Sequence, residues 1–312
     1  MVKTEEFSFI SSDGVQITAY KWAAEQPKAV LQIAHGAVEH AMRYDAFARD
    51  LAENGFTVYA EDHLGHGKTA GSPDKVGHYS DRDGAFANIV EDMHTLMQRM
   101  QKENPDLPVF LMGHSMGSLL SRVYAAKYGS ELTGLVLTGT GHVAAPLIKV
   151  VQTLARREMK TKGYGHRSPF LHSLIFGTLN KPFKGEHGCE FICSDPQVVA
   201  DYVADACCGN TISAEFAYEL LEGTKRAAQK QTFENTPKNL PVFIGAGEFD
   251  TMGGTKLSAV KQDAADYQKA GIADFTFKIY PGMRHEILNE TGKRQVWDDI
   301  TGWLNKHVTV EK

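Results

Sequence analysis

The sequence predicts an α/β fold, with a mostly parallel central sheet, helices on both faces and a helical cap inserted in the middle third of the chain. Two observations carry this. Short apolar runs alternate with segments of helical spacing from residue 29 to residue 140, and the alternation resumes from residue 237 onward. Between them, residues 141–236 hold helical patterns and a Gly- and Pro-containing middle, without a strand pattern. The expected organisation is a core of residues 1–140 and 237–312, interrupted by a cap of residues 141–236. At 312 residues and 42% apolar side chains, the chain can fill one large core carrying such an insertion.

The elements follow in order. Phe7-Ser-Phe-Ile10 and Val15-Gln-Ile-Thr-Ala-Tyr20 flank the turn pair Asp13-Gly14, which predicts a hairpin over residues 6–22. Ala29–Ala34 is the first fully apolar strand, ended by His35-Gly36. Phe47 and Leu51 give helical spacing from Tyr44 to Asn54, and Gly55 stops it. Strand Phe56–Ala60, helix Gly84–Lys102, strand Pro108–Met112, helix Met116–Tyr128 and strand Leu135–Leu137 continue the alternation. The cap has helical patterns at Ala144–Met159 and Ser213–Gln231. Strand Pro241–Gly245, helix Lys256–Ala270, strand Phe275–Tyr280 and helix Lys293–His307 complete the core.

Composition excludes several classes of function. With 33 basic against 38 acidic side chains and a net charge of −5, no basic face for nucleic acid is expected. No run of about 18 apolar residues offers a membrane-spanning helix. The opening Met1-Val-Lys-Thr-Glu-Glu-Phe7 lacks the charged and apolar regions of a secretory signal, so a cytoplasmic location is expected. The four cysteines, Cys189, Cys193, Cys207 and Cys208, are then expected to be free thiols. His187, Cys189 and Cys193 match no paired zinc spacing, and Asp62, His63 and His66 lack further spaced ligands, so no metal is expected. Without a Walker A lysine motif or a dinucleotide fingerprint, no cofactor is expected either.

The chemistry concentrates in three loops at strand ends, where open α/β sheets carry their sites. Gly113-His-Ser115-Met-Gly117 follows a strand and precedes a helix. In that context G-x-S-x-G is a nucleophile elbow: a serine on a sharp, strained turn, with small flanking residues that let the turn close. A serine nucleophile needs a base, and the base needs an acid to hold its tautomer. The chain order Ser, acid, His selects Asp250 in Gly245-Ala-Gly-Glu-Phe-Asp250 and His285 in Tyr280-Pro-Gly-Met-Arg-His285. Glu248 is a rival acid; Asp250 is preferred because it stands later in its loop and is shorter. An oxyanion needs two donors, expected from the backbone N–H groups of Met116 and of Ala37 in His35-Gly36-Ala37. His35, Gly36 and His114 are expected to frame the substrate, and His40 to frame the site with them.

These motifs make the chain resemble the monoacylglycerol lipase and lysophospholipase-like branch of serine α/β hydrolases, the serine aminopeptidase S33 type. The resemblance rests on His35-Gly-Ala-Val-Glu-His40 with Arg43-Tyr44, on Asp62-His-Leu-Gly-His-Gly67, on Gly113-His-Ser-Met-Gly117, and on Asp250 and His285 in their loops. It implies an α/β-hydrolase fold, with Ser115 as nucleophile, His285 as base, Asp250 as orienting acid, and Ala37 and Met116 as oxyanion donors. It gives the loop of Asp62, His63 and His66 a structural role. Two positions depart from the family pattern: Thr69 where serine is usual after Gly-His-Gly-Lys68, and Ser118 where a second glycine is usual after Gly117.

The cap adds a charge pattern. Residues 141–170 carry Lys149, Arg156, Arg157, Lys160, Lys162 and Arg167 against Glu158 alone, beside an apolar stripe of Leu147, Ile148, Val150, Val151 and Leu154. Such a stripe either covers the cleft or rests on an anionic membrane surface. Phe170, Leu171, Leu174, Ile175 and Phe176 are candidate pocket walls. The expected activity is a serine carboxylester hydrolase for a small-molecule ester bearing an acyl chain, such as a monoacylglycerol or lysophospholipid. An esterase for small soluble esters, an aminopeptidase and a non-catalytic binding protein are the alternatives.

Overall fold

The computed structural model describes residues 2–308. In chain order the elements are β1 (Thr4–Ile10), β2 (Gln16–Trp22), β3 (Ala29–Ala34), α1 (Asp45–Glu53), β4 (Phe56–Glu61), α2 (Ala85–Glu103), β5 (Val109–His114), α3 (Met116–Tyr128) and β6 (Gly134–Thr138). Then come α4 (Ala145–Lys162), α5 (Pro169–Ile175), α6 (Pro196–Ala204), α7 (Ala214–Ala227), α8 (Lys230–Asn235), β7 (Val242–Gly247), α9 (Ser258–Lys269), β8 (Phe275–Tyr280) and α10 (Lys293–Val308).

The eight strands form one sheet in the order β1-β2-β4-β3-β5-β6-β7-β8. The hairpin of β1 and β2 and the β2–β4 pair are antiparallel, and every pair from β4 to β8 is parallel. Every residue of β3, β4, β5, β6 and β7 is buried, as continuous apolar runs covered on both faces require. On one face α1 and α10 pack Phe47, Leu51, Ile300 and Trp303 against the sheet. On the other, α2, α3 and α9 contribute Phe86, Met93, Leu120 and Tyr267. Ile148, Leu171, Phe216 and Leu220 of the 141–236 segment belong to this second cluster, and α7 packs on α2 and α3.

Local physics explains where elements depart from their expected bounds. The pattern over Ser213–Gln231 breaks into α7 and α8 at Ala228-Gln229, and α7 starts where the Ser213 side chain accepts the Phe216 N–H at 3.0 Å. Helix α9 begins only at Ser258, because Lys256 and Leu257 hold left-handed backbone angles of φ 54° and 60°. In α4, Ile148, Val151, Ala155 and Met159 recur at helical spacing and are buried, with α7 packed alongside, whereas Leu147 and Val150 stay exposed. No helix among the described residues is long and apolar enough to cross a membrane.

Candidate active site

Ser115 sits between β5 and α3 with φ 54° and ψ −119°, a strained conformation for a residue with a side chain. Its flanking glycines are forced. A Cβ on Gly113 would stand 2.2 Å from the Gly117 carbonyl oxygen, and one on Gly117 would stand 2.0 Å from that of Ala34. Ser118, where a glycine is usual, is fully buried and donates its hydroxyl to the Ser115 carbonyl at 2.6 Å, so it braces the turn. The other departure is equally benign: Thr69 Oγ1 accepts the Thr18 N–H at 2.9 Å, as a serine hydroxyl can.

Strands β7 and β8 end side by side and deliver Asp250 and His285 to this turn. His285 Nδ1 lies 3.0 Å from Asp250 Oδ1, which also accepts the Met252 N–H at 2.9 Å. Their side chains are 5% and 1% exposed. Burial disfavours the imidazolium, but the charge and hydrogen bond of Asp250, with Glu286 and Glu39 beyond, outweigh it and hold His285 above its ordinary value. Glu248 is exposed and accepts the Gly282 N–H at 2.9 Å, so it ties the two loops together and does not reach the ring. The Ser115 hydroxyl forms no hydrogen bond among the described residues and borders the same cavity as His285.

The loop after β3 approaches Ser115 from the opposite side. A Cβ on Gly36 would lie 2.6 Å from Glu39 Oε1 and 3.1 Å from Ser115 Cβ, so only glycine fits there. The N–H groups of Ala37 and Met116 find no acceptor among the described residues, and both residues border the cavity beside Ser115. His114 lines the cavity too; its ring packs 4.7 Å from that of His285, and burial pushes it down to about 4, so it is neutral.

His35, unlike Gly36 and His114, does not frame the substrate cavity: it is fully buried behind the loop. Its Nδ1 bonds the Gly36 carbonyl at 2.8 Å and its Nε2 accepts the His63 N–H at 3.0 Å, so both nitrogens are spent on holding the backbone. Asp62 has a similar part: its carboxylate accepts the N–H groups of Ala41 and Lys68 at 2.9 and 2.8 Å.

Two further features escaped the sequence reading. Gly139, with φ 56°, leaves room for both imidazoles, since a Cβ there would stand 2.7 Å from His114 Cε1 and from His285 Cε1. Arg43 forms a two-pronged bond to Glu286 at 2.7 Å for each prong, also pairs with Glu39, and stacks 4.8 Å from the ring centre of Tyr202 on α6. Burial opposes the Glu286 charge, yet Arg43 outweighs it and holds the carboxyl below its ordinary value. The residue next to His285 is thereby anchored to the loop after β3 and to α6. An Arg43 beside the early Glu39 was the one visible signal; its partner lies 243 positions away.

Two chambers meet at Ser115. One, of about 440 Å³, has Glu39, His114, His187 and His285 at its edge among apolar residues such as Phe191 and Ile192. The other, of about 250 Å³, is apolar and walled by residues such as Leu119, Val151, Leu174, Ile175, Leu220 and Leu221. Phe176 borders both. Of the expected walls, Leu174, Ile175 and Phe176 line the cavity, whereas Phe170 is 57% exposed and Leu171 is buried in the core.

Residues 25–292 match the family model described as serine aminopeptidase, S33. The chain belongs to this family. As an S33 chain it is an enzyme, a hydrolase of the α/β-hydrolase type. It is 29% identical over 306 residues to a monoacylglycerol lipase of Mycolicibacterium smegmatis, covering 97% of this chain and 98% of that protein. It is 28% identical over 304 residues to the monoglyceride lipase of Homo sapiens, covering 95% of this chain and 89% of that protein. Among solved structures, a thermostable carboxyl esterase from Bacillus coagulans in complex with glycerol superposes with a TM-score of 0.89 at 29% identity, covering 99% of this S33 chain and all of that one.

Proposed function

We propose that the protein is a serine carboxylester hydrolase of single-chain lipid esters, of the monoacylglycerol or lysophospholipid class, acting through an acyl-enzyme at Ser115. The observation that carries this reading is the pair of chambers: an apolar one suited to an acyl chain and a polar-edged one suited to a head group, with Ser115 where they join. His285 takes the Ser115 proton as the hydroxyl attacks the ester carbonyl, while Asp250 holds the ring with Nε2 free and stabilises the imidazolium. The amides of Ala37 and Met116 receive the oxyanion. The imidazolium returns its proton to the leaving alcohol, and water then repeats the sequence to release the fatty acid. No step draws on a cofactor. The segment 141–236 acts as the cap, with Leu174, Ile175 and Phe176 supplying chamber walls. The exposed Leu147 and Val150 beside Lys149 and Arg157 suit brief contact with an anionic membrane surface, where such substrates reside. Four unpaired thiols agree with a reducing compartment such as the cytoplasm.

A substrate panel tests the reading. Each buried methylene contributes about 0.8 kcal/mol, so kcat/KM on monoacyl esters should climb roughly fourfold per methylene until the apolar chamber is full. Leu174→Trp, which fills that chamber, should flatten the climb and spare acetyl esters. A flat profile in the wild-type protein, or faster cleavage of aminoacyl amides, overturns it.

A further inference from the structure

We propose that His40, Asp205 and Cys208 form a binding site for a zinc-class divalent cation that joins the cap to the loop bearing the oxyanion donors. His40 Nε2 lies 2.8 Å from Asp205 Oδ2, and one ligating atom from each of the three residues falls within 4.8 Å of the other two. Among the described residues this is the one group of three His, Cys, Asp or Glu side chains that converges in this way. The loop places His40 three residues after Ala37, and the end of α6 places Asp205 and Cys208.

The donor set selects the metal. One imidazole nitrogen, one carboxylate oxygen and one thiolate sulfur suit a tetrahedral zinc site with an open fourth position. Calcium and magnesium take oxygen ligands and would refuse the sulfur. The ligands are already held in place. Gly209 N–H and the Tyr202 hydroxyl both bond the Val38 carbonyl, at 2.9 and 3.1 Å, which fixes the two segments against each other. Asp205 Oδ1 accepts the Cys207 N–H at 2.8 Å, leaving Oδ2 turned to His40. Burial pushes the Cys208 thiol up, so it carries its proton while no cation is bound. Formation of the metal–sulfur bond sends that proton to solvent. The nearby Arg43 charge does not bar a cation, because Glu39 and Glu286 balance it. Val38, Cys208 and Gly209 border the cavity that holds Ser115, so the ion sits at its rim and fastens the cap over it.

The competing account is a plain His40–Asp205 ion pair with an idle thiol beside it. Metal-free full-length protein titrated with Zn²⁺ by calorimetry, and with Co²⁺ by thiolate-to-metal charge-transfer absorption, separates the two. One equivalent should bind, the cobalt form should absorb, and zinc should raise the Tm. Cys208→Ser and His40→Ala should each weaken binding at least ~10-fold, and Cys208→Ser should abolish the absorption, while Cys207→Ser should keep both. Cys208→Ser is a near-isosteric change and decides the matter even where His40→Ala fails to fold. The absence of saturable binding, or unchanged affinity and absorption in Cys208→Ser, overturns the proposal.

Discussion

Replacing Asp250 by asparagine probes the geometry around His285 most sharply. The carboxylate holds the ring through one 3.0 Å bond at Nδ1 and has its own position set by the Met252 N–H at 2.9 Å. Asparagine has the same shape, but Oδ1 makes both contacts, so an amide that turns its nitrogen to this position in Asp250→Asn gives up the Met252 bond. It then donates to Nδ1, which drives the ring proton to Nε2, the nitrogen that must accept the serine proton. The loss expected from a wrong tautomer is ~10⁴-fold in kcat, or about 5.4 kcal/mol of transition-state stabilisation. The pH profile carries a second signature. In the wild-type protein Asp250 holds His285 above its ordinary value against burial, so the base becomes protonated, and kcat/KM falls, at a pH above that of a free histidine. Without the carboxylate charge, burial dominates and the acid limb should move to lower pH. Glu248→Gln is the control: its side chain is exposed and, among the described residues, bonds only the Gly282 N–H, so activity should stay within about twofold. Steady-state rates on a soluble ester from pH 5 to 9 provide both readouts. Retention of a tenth of the activity in Asp250→Asn, or a large loss in Glu248→Gln, would refute the assignment.

Two more outcomes follow from the packing. Gly139→Ala puts a methyl 2.7 Å from both imidazoles at φ 56°; kcat should fall ~100-fold, with a stability cost of about 1–2 kcal/mol visible as a lower Tm. Asp92, on α2, is 1% exposed and has Oδ2 without a partner; burial, and then the Glu61 carboxyl, raise it to about 7 from 3.8. A folded-state value above the unfolded one gives stability that is complete below pH 4 and lost as pH rises through 7. Asp92→Asn should therefore gain on the wild-type protein between pH 5 and pH 8, by on the order of 3 kcal/mol, in urea unfolding at each pH. A difference that does not change with pH contradicts this.

What the sequence could disclose tracks the range of the interactions. The sheet was legible because its strands are apolar runs bounded by Gly, Pro and polar residues, and the elbow because backbone crowding at Gly113 and Gly117 admits no side chain. The order of Ser115, Asp250 and His285 was legible for the same local reason: each follows a strand of the parallel sheet. Features set by distant partners were not. His35 is turned away from the cavity because His63 and Gly36 claim its ring. The Arg43–Glu286 bond joins residues 243 apart. Chamber walls drawn from several separate segments carry no periodic signature, which is why Phe170 and Leu171 looked like Leu174 and Phe176.

The central claim is that Ser115 is the nucleophile activated by His285. A fluorophosphonate probe with peptide mass spectrometry tests it directly, alongside Ser115→Ala. The account predicts stoichiometric labelling at Ser115 in the wild-type protein, no labelling in Ser115→Ala, and ester hydrolysis in that variant reduced to the residual level left by the oxyanion donors and binding alone. Labelling at another residue, or full hydrolysis by Ser115→Ala, would contradict it.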